Sequence, residues 1–209
     1  MTAPLRLGLL ASHGGTNMQA IVDACREGRL EAEPRVVISN NSRSGALERA
    51  RRAGIPALHM SGRTHGNPHE LDQAILGALE ESSVEVICLA GYMKKIGAAT
   101  LAGYAGRILN IHPALLPKYG GRGFYGEAVH DAVLAAGEPE SGVTVHLVDE
   151  VYDHGRTLLQ RRVPVLADDT VDSLSARVLA QEHQLYVEVL QQIAAGQIHL
   201  EGLERGRAG

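Results

Sequence analysis

The first half of the chain alternates between short apolar runs and longer stretches in which apolar residues recur at helical spacing. The apolar runs have the length of strands that are buried on both faces, and they lie at residues 5–12, 35–39, 56–60, 84–89 and 108–111. Turns rich in glycine, asparagine or proline follow these runs. Strands and helices that alternate in this order predict a parallel sheet with helices packed against it.

The second half predicts a change in strand direction. Residues 142–148 and 157–165 have strand character, and the loop between them is short enough to join antiparallel neighbours. A long amphipathic helix follows the capping residues 168–170. We therefore predict one α/β domain at residues 1–200, with a Rossmann-like, mainly parallel sheet flanked by helices and antiparallel strands in the C-terminal half. Residues 201–209 are rich in glycine and arginine and are predicted to fray.

Composition narrows the class of protein. Of 209 residues, 44% are hydrophobic, but only six are Tyr, one is Phe and none is Trp, so the predicted core is aliphatic. The formal net charge is −4 and there is no Lys/Arg cluster, which argues against nucleic acid as a partner. Cys25 and Cys88 lack metal-ligand spacing and are interpreted as reduced thiols. No apolar run suits a signal peptide or a membrane span, so we expect a cytoplasmic protein without a membrane partner.

Two polar residues interrupt the apolar run at 108–111 and its end. Side chains two positions apart on a strand point to the same side, so Asn110 and His112 should emerge together. Pro113 and Pro117 then end the strand. Ligands of open α/β sheets bind at such strand ends, and an amide beside an imidazole suits an oxygen that becomes negative during acyl transfer. The simpler interpretation is that both side chains satisfy backbone groups of a turn.

A glycine turn follows the first strand. Gly14, Gly15, Thr16 and Asn17 lie between this strand and a helix. Glycine lets the backbone approach a ligand closely, and the free amides at a helix start favour an anion, so the turn is a candidate phosphate site. A tight strand-to-helix turn without a ligand is the alternative. A second glycine-rich stretch, at 120–126, is predicted to be a mobile lid.

Three motifs in the second half resemble the folate-dependent formyltransferases. They are NIHPALLP at 110–117, GVTVH at 142–146 and DHG at 153–155. The early turn at 14–17 and the sequence QEH at 181–183 narrow the resemblance to members of the family that act on glycinamide ribonucleotide. The resemblance spans most of the chain, and relatives with an additional N- or C-terminal domain do not fit its length.

The resemblance implies an activity and its partners. 10-Formyltetrahydrofolate would be the cosubstrate that donates a formyl group to the glycine amine of 5'-phosphoribosylglycinamide, a step of de novo purine biosynthesis, through a tetrahedral intermediate. It implies no metal, and the partners are these two small molecules rather than nucleic acid or a membrane. Both a monomer and a homodimer remain compatible with the sequence.

The same resemblance implies roles for named residues. Asn110 and a protonated His112 would donate hydrogen bonds to the formyl oxygen, and each such donor contributes about 3 kcal/mol. Asp153 would raise the pKa of His112 and collect the proton that the attacking amine loses. The ribonucleotide would be bound by Gly14, Gly15, Thr16, Asn17 and Glu182. The folate would be bound by Met93, Lys94, Lys95, Ile96, Asn110, Asp149, Glu150, Val151, Tyr152 and Asp153.

Each role has a structural alternative, and the chain departs from the family pattern in places. Asp153 could bond its own turn, and Glu182 could be a charge on a helix surface. His13 stands where many relatives have Gly, and the stretch at 120–126 is longer and richer in glycine than usual. No Arg matches the one that many relatives carry near Pro68.

Three other functions are weighed against this hypothesis. The first is another folate-dependent formyltransferase or a formyltetrahydrofolate deformylase. The second is a non-catalytic nucleotide-binding module on the same kind of sheet, because a fold does not establish a function. The third is a metal hydrolase, although the chain lacks an H-E-x-x-H or H-x-H spacing. Its candidate ligands are His112, His146, Asp153, His154 and His183.

Overall fold

A seven-stranded sheet forms the centre of the molecule, for which a computed structural model describes residues 3–203. The strand order is β3-β2-β1-β4-β5-β6-β7. Strands β1 to β5 run parallel, whereas β6 is antiparallel to both β5 and β7. The predicted α/β sheet with antiparallel strands in the C-terminal half is therefore confirmed. The strands are β1 (Leu5–Leu10), β2 (Ala32–Ser39), β3 (Ala57–His59), β4 (Val86–Leu89), β5 (Ile108–His112), β6 (Glu140–Leu147) and β7 (Thr157–Pro164).

The helices begin where the turn chemistry of the sequence predicts them. The Asn67 side chain accepts a hydrogen bond from the Glu70 amide at 3.0 Å, and Pro68 takes the first helical position. Thr170 and Ser173 form a reciprocal capping box at the last helix. The helices are α1 (Thr16–Arg26), α2 (Gly45–Arg52), α3 (Pro68–Glu81), α4 (Ala98–Gly103), α5 (Glu127–Ala135) and α6 (Val171–Ala194).

The sheet is buried on both faces. Neighbouring residues of β1 belong to different apolar clusters, since Leu9 packs in the larger cluster with α1 and α6 while Leu10 packs in the smaller cluster with α3. Tyr186 of α6 is fully buried, and its hydroxyl lies 3.0 Å from the Leu109 carbonyl oxygen and 3.3 Å from that of Leu89. Helix α6 is thereby fixed against the end of β4 and against the β5 residue that precedes Asn110.

Strand order reverses beside β1, which has β2 on one side and β4 on the other. The loops after β1 and β4 are joined at this point. The Ser12 amide donates to the Gly91 carbonyl at 2.9 Å, and the Met93 amide donates to the Ser12 hydroxyl at 2.7 Å. A crevice at the carboxyl ends of strands beside such a reversal is the usual ligand site of open α/β sheets.

The ends of the described chain add two observations. Leu200 is buried, and residues 201–203 form a turn in which Leu203 packs against the core. Residues 204–209 lie outside the described part, so the predicted frayed tail stays a prediction there. Between residues 3 and 203, no helix combines the length and apolar character that crossing a membrane requires.

Candidate active site

Asn110 and His146 meet across the antiparallel pair β5 and β6. They are direct register partners, and Asn110 Nδ2 lies 3.1 Å from His146 Nε2. His146 Nδ1 is 2.8 Å from the Leu147 carbonyl oxygen, which can only accept, so this nitrogen carries the ring proton. In the neutral ring, Nε2 therefore accepts from the Asn110 amide. One amide hydrogen of Asn110 is thus held by His146, and the other is available to a ligand.

His112 is oriented by a backbone carbonyl. Its Nε2 donates to the Tyr119 carbonyl oxygen at 2.7 Å, which assigns the proton of the neutral ring to Nε2. Its Nδ1 lies 3.7 Å from Asp153 Oδ2, and the side chain is only 5% exposed. The nitrogen that gains or loses a proton is therefore Nδ1, which faces the carboxylate.

Asp153 lies between the two histidines. Its Oδ2 accepts from the Gly121 amide at 2.8 Å, and its Oδ1 is 3.5 Å from His146 Nε2. The residue adopts a left-handed backbone with φ of 56°, which Asp tolerates better than most side chains. The alternative that Asp153 merely bonds its own turn does not describe this environment, because its partners come from distant parts of the chain.

The pKa of His112 corrects one prediction from the sequence. Burial lowers the pKa of His112, and this effect outweighs the Asp153 charge and the Tyr119 hydrogen bond, which raise it, while His146 lowers it further. Asp153 therefore acts on the pKa of His112 in the predicted direction, but the net shift is downward, and the prediction of a protonated His112 is wrong. Burial acts to raise the pKa of Asp153, but the neighbouring rings of His146 and His112 and the Gly121 amide lower it overall. At neutral pH we expect a neutral imidazole facing an ionised carboxylate.

Three residues on one face of β6 support this arrangement. A Cβ on Gly142 would lie 2.4 Å from a methyl of Leu115, so only glycine leaves room for that side chain. The Thr144 hydroxyl donates to the Ala114 carbonyl at 2.6 Å and accepts from the Leu116 amide at 3.1 Å. His146 completes the series at the Asn110 amide. The GVTVH motif thus holds the turn after β5 and orients its catalytic candidates.

A narrow cleft opens beside Asn110. Its volume is about 80 Å³, and the loop after β4 and the loop between β6 and β7 form its walls. Nearly all the residues predicted to bind folate line this cleft, with the exception of Met93, whose side chain is 43% exposed. The lining comprises Leu89, Tyr92, Lys94, Lys95, Ile96, Asn110, His146, Val148, Asp149, Glu150, Val151, Tyr152 and Asp153.

A larger cavity of about 680 Å³ shares one wall with the cleft, namely Tyr92 and residues 94–96. Arg63, Pro68 and Asp72 also line this cavity. The chain lacks the Arg that many relatives carry near Pro68, but another cation, Arg63, lines the same cavity as Pro68. The volume of this cavity falls in the usual range for a small-molecule site.

Asp72 is a supporting residue that the sequence pattern did not reveal. Its carboxylate accepts from the Ala99 amide at 2.7 Å and from the Thr100 amide at 3.1 Å. It therefore caps α4 from the neighbouring helix α3 and fixes the end of the loop that walls the cleft. A buried carboxylate on the otherwise apolar face of α3 was the available signal, but its partners are 27 and 28 residues away.

The glycine turn and Glu182 form the other end of the site. Gly15 has φ of 73° and immediately precedes α1. The side-chain amide of Asn17 donates through Nδ2 to Glu182 Oε2 at 2.5 Å, and Glu182 is only 8% exposed. Burial raises the pKa of Glu182 to about 7, although the Asn17 hydrogen bond lowers it. Glu182 is therefore a buried carboxylate near the turn rather than a surface charge on α6.

The metal-hydrolase alternative finds no support among residues 3–203. They contain no group of three or more His, Cys, Asp or Glu side chains arranged to hold a metal ion. His154, one of the candidate ligands, is 76% exposed and lies 3.5 Å from Asp149.

Known proteins share both the sequence pattern and this arrangement of strands. Residues 5–190 match the family model described as formyl transferase. The chain belongs to the formyl transferase family. This membership agrees with the resemblance carried by the motifs on β5 and β6.

Bacterial relatives of this formyl transferase match it over nearly its whole length. The phosphoribosylglycinamide formyltransferase of Haemophilus influenzae is 39% identical over 94% of this chain and 90% of that protein. The protein of the same name from Escherichia coli is 37% identical over the same shares. The crystal structure of glycinamide ribonucleotide transformylase 1 from Symbiobacterium toebii superposes with a TM-score of 0.89 at 41% identity, covering 98% of this chain and 94% of that one.

Other relatives are longer than this formyl transferase. The chloroplastic phosphoribosylglycinamide formyltransferase of Vigna unguiculata is 42% identical over 92% of this chain, which spans 62% of that protein. The human trifunctional purine biosynthetic protein adenosine-3 is 40% identical over 93% of this chain, which spans 19% of it. A formyltetrahydrofolate deformylase from Pseudomonas syringae has a TM-score of 0.84 but only 19% identity, so it shares the fold alone.

Proposed function

We propose that this chain transfers the formyl group of 10-formyltetrahydrofolate to the glycine amine of 5'-phosphoribosylglycinamide in de novo purine biosynthesis. The observation that carries the proposal is the position of Asn110, His112 and Asp153. They cluster at one strand end, beside a cleft whose walls contain the residues expected to bind folate. The names of the bacterial relatives that match over nearly the whole chain support the acceptor and the group transferred.

The two substrates are assigned to different parts of the site. The pterin occupies the cleft between the loop after β4 and the loop after β6. The ribonucleotide phosphate binds the turn at 14–17, where a glycine backbone opens onto the start of α1. Glu182, which is hydrogen-bonded to the Asn17 side chain beside this turn, holds the glycine or ribose part of the ribonucleotide. A carboxylate with a pKa near neutrality accepts hydrogen bonds from such N–H and O–H groups.

Attack by the amine places negative charge on the formyl oxygen. The amide hydrogen of Asn110 that His146 does not hold donates to this oxygen. A preorganised donor of this kind contributes about 3 kcal/mol because it is strongest when the charge has developed. His146 acts on the reaction only through Asn110, so its role is positioning.

The proton of the amine passes to the pair of His112 and Asp153. His112 Nδ1 is unprotonated at neutral pH, and Asp153 stabilises the imidazolium that forms. The new Nδ1–H then donates to the oxyanion beside Asn110. When the bond between the formyl carbon and the folate nitrogen breaks, that nitrogen takes up the proton. The products are the formylated ribonucleotide and tetrahydrofolate.

A product assay tests the proposal. The purified chain is incubated with 10-formyltetrahydrofolate and 5'-phosphoribosylglycinamide in the presence of a chelator, and mass spectrometry measures the ribonucleotide. We expect one formylated ribonucleotide for each tetrahydrofolate released. Release of formate with no formylated ribonucleotide would indicate a deformylase. Absence of any turnover would favour a binding module.

The same proposal includes a cytoplasmic location. Cys25 and Cys88 are both free thiols, and Cys88 is buried, which is typical of proteins in reducing compartments. Cell fractionation with an antibody against the chain measures this directly.

A further inference from the structure

Helix α2 contacts the glycine turn through two consecutive backbone carbonyls. The Ala46 amide donates to the His13 carbonyl oxygen at 3.1 Å. Arg49 Nε donates to the Gly14 carbonyl oxygen at 2.9 Å. Both carbonyls of the turn therefore point toward α2.

The planarity of the peptide bond fixes the direction of the next two amides. In a trans peptide, the carbonyl of one residue and the N–H of the following residue point in opposite directions. The amides of Gly14 and Gly15 therefore point away from α2. Within residues 3–203, no acceptor is found for these two amides or for those of Thr16 and Asn17 at the start of α1. Successive free amides of this kind form a concave anion site.

The contact between α2 and the turn is tight. A Cβ on Gly15 would lie 2.8 Å from Ala46 Cα, and a Cβ on Gly45 would lie 3.0 Å from the Gly14 carbonyl oxygen. Glycine at both positions allows the helix to approach this closely. Arg49 is itself held in place, since its Nη1 lies 3.5 Å from Gln19 Oε1 on α1. The guanidinium thus links α1, α2 and the turn.

We propose that Arg49 is a positioning residue for the ribonucleotide phosphate. Its Nε–H holds the Gly14 carbonyl and thereby aims the Gly15 amide at the phosphate, while its positive charge lies behind the turn. Arg49 does not touch the substrate in this scheme. The inference rests on the proposed function for the identity of the ribonucleotide, but the anion site itself follows from the orientation of the amides.

Arg52 provides a matched control. It lies three residues after Arg49 on the same helix, carries the same charge and is exposed. No hydrogen bond joins its side chain to another residue within 3–203. Comparing Arg49→Gln with Arg52→Gln therefore separates the loss of the contact from the loss of one positive charge near the turn. Arg49→Lys keeps the charge and one donor but lacks the fixed direction of Nε–H.

Two measurements test the inference. The first is kcat together with the KM for each substrate. In Arg49→Gln we expect the KM for the ribonucleotide to rise about tenfold, because a charged hydrogen bond is lost. In the same variant, the KM for 10-formyltetrahydrofolate should change by less than about twofold. Arg52→Gln should change neither KM by more than about twofold. Arg49→Lys should have a ribonucleotide KM between those of Arg49→Gln and the unmodified chain. The second is calorimetric binding of ribose 5-phosphate, which needs no turnover and should follow the same ranking.

Each result decides between the inference and its rivals. Equal effects of Arg49→Gln and Arg52→Gln would overturn it in favour of a simple charge effect. Equal increases in both KM values would overturn it in favour of a general structural role. If the unmodified chain fails to formylate the ribonucleotide, the proposed function fails. The order of ribose 5-phosphate affinities among the variants then upholds or rejects the role of Arg49 by itself. If Arg49→Gln fails to fold, the affinity of Arg49→Lys relative to Arg52→Gln decides in its place.

Discussion

The two ends of the candidate site are built from different parts of the chain. At the end of β5 the candidate site consists of side chains: His146 contacts Asn110 and Asp153, and His112 faces Asp153. At the end of β1, backbone amides of the glycine turn have no acceptor among residues 3–203, and helix α2 holds two carbonyls of that turn. Proton transfer belongs to the first end, whereas the backbone amides of the second do not titrate and only Glu182 beside them responds to pH near neutrality. Substitutions at the first end should therefore change kcat, and those at the second should change binding of the ribonucleotide.

The largest effect is expected for Asn110→Ala. Loss of the donor to the formyl oxygen should lower kcat by roughly 10²–10³-fold, while the KM for each substrate stays within about twofold. Steady-state kinetics with each substrate varied in turn measures this. A raised KM with unchanged kcat would make Asn110 a binding residue and would place it with the other end of the site.

The next effect is expected for Asp153→Asn. Asp153 raises the pKa of His112 against the effect of burial, so removing its charge should lower that pKa further and make His112 a weaker base. We expect kcat to fall about a hundredfold. NMR titration of the His112 ring should give a pKa below its ordinary value of about 6.5 in the unmodified chain, and lower still in the variant.

His154→Ala is the control for this experiment. His154 is the neighbour of Asp153, but its ring is exposed and faces Asp149. Its loss should leave both kcat and the His112 titration unchanged. A His112 pKa above 6.5 in the unmodified chain would restore the protonated donor that the sequence predicts.

Gly14→Val tests the backbone end with a smaller effect. A Cβ at Gly14 would meet no atom within 4 Å, so the side chain can be added without disturbing the packing of the turn. It should hinder the phosphate and raise the KM for the ribonucleotide about tenfold, with the KM for folate unchanged. Gly15→Val is a different experiment, because its Cβ would clash with Ala46 and its backbone is left-handed. We expect that variant to lose thermal stability.

The smallest effect concerns Glu182 and pH. Because burial raises its pKa to about 7, the ionised fraction of Glu182 increases as the pH rises through neutrality. The affinity for the ribonucleotide should increase over the same range, and in Glu182→Gln this part of the increase should vanish. A phosphate monoester also titrates near pH 6, but it does so in both proteins. If calorimetry gives the same dependence of ribonucleotide affinity on pH for the unmodified chain and for Glu182→Gln, Glu182 is not part of the binding site.

Local patterns in the sequence predict much of the fold. Alternating strands and helices indicate the parallel sheet, and the capping residues Asn67 and Thr170 mark helix starts within one or two residues. Asn110 and His112 could be paired because residues two apart on a strand share a face. Glu182 also follows a local rule, since it lies four residues from both Val178 and Tyr186 on the buried face of α6.

The features that the sequence did not reveal depend on distant contacts. The bond between His146 and Asn110 requires the register of β5 and β6, and the role of Arg49 requires α2 to pack against the glycine turn. Asp72 caps helix α4 through an amide that lies 27 residues later in the chain. The wrong direction for the His112 pKa has the same origin, because the depth of burial that lowers it comes from the assembled fold.

The most direct test of the division between the two ends is a kinetic cycle of Asn110→Ala, Gly14→Val and the double variant. If the ends act independently, their effects multiply. The double variant should then have the kcat of Asn110→Ala and the ribonucleotide KM of Gly14→Val. A double variant whose kcat/KM differs from the product of the single effects by more than about tenfold would contradict the account, since a tenfold difference corresponds to about 1.4 kcal/mol of coupling.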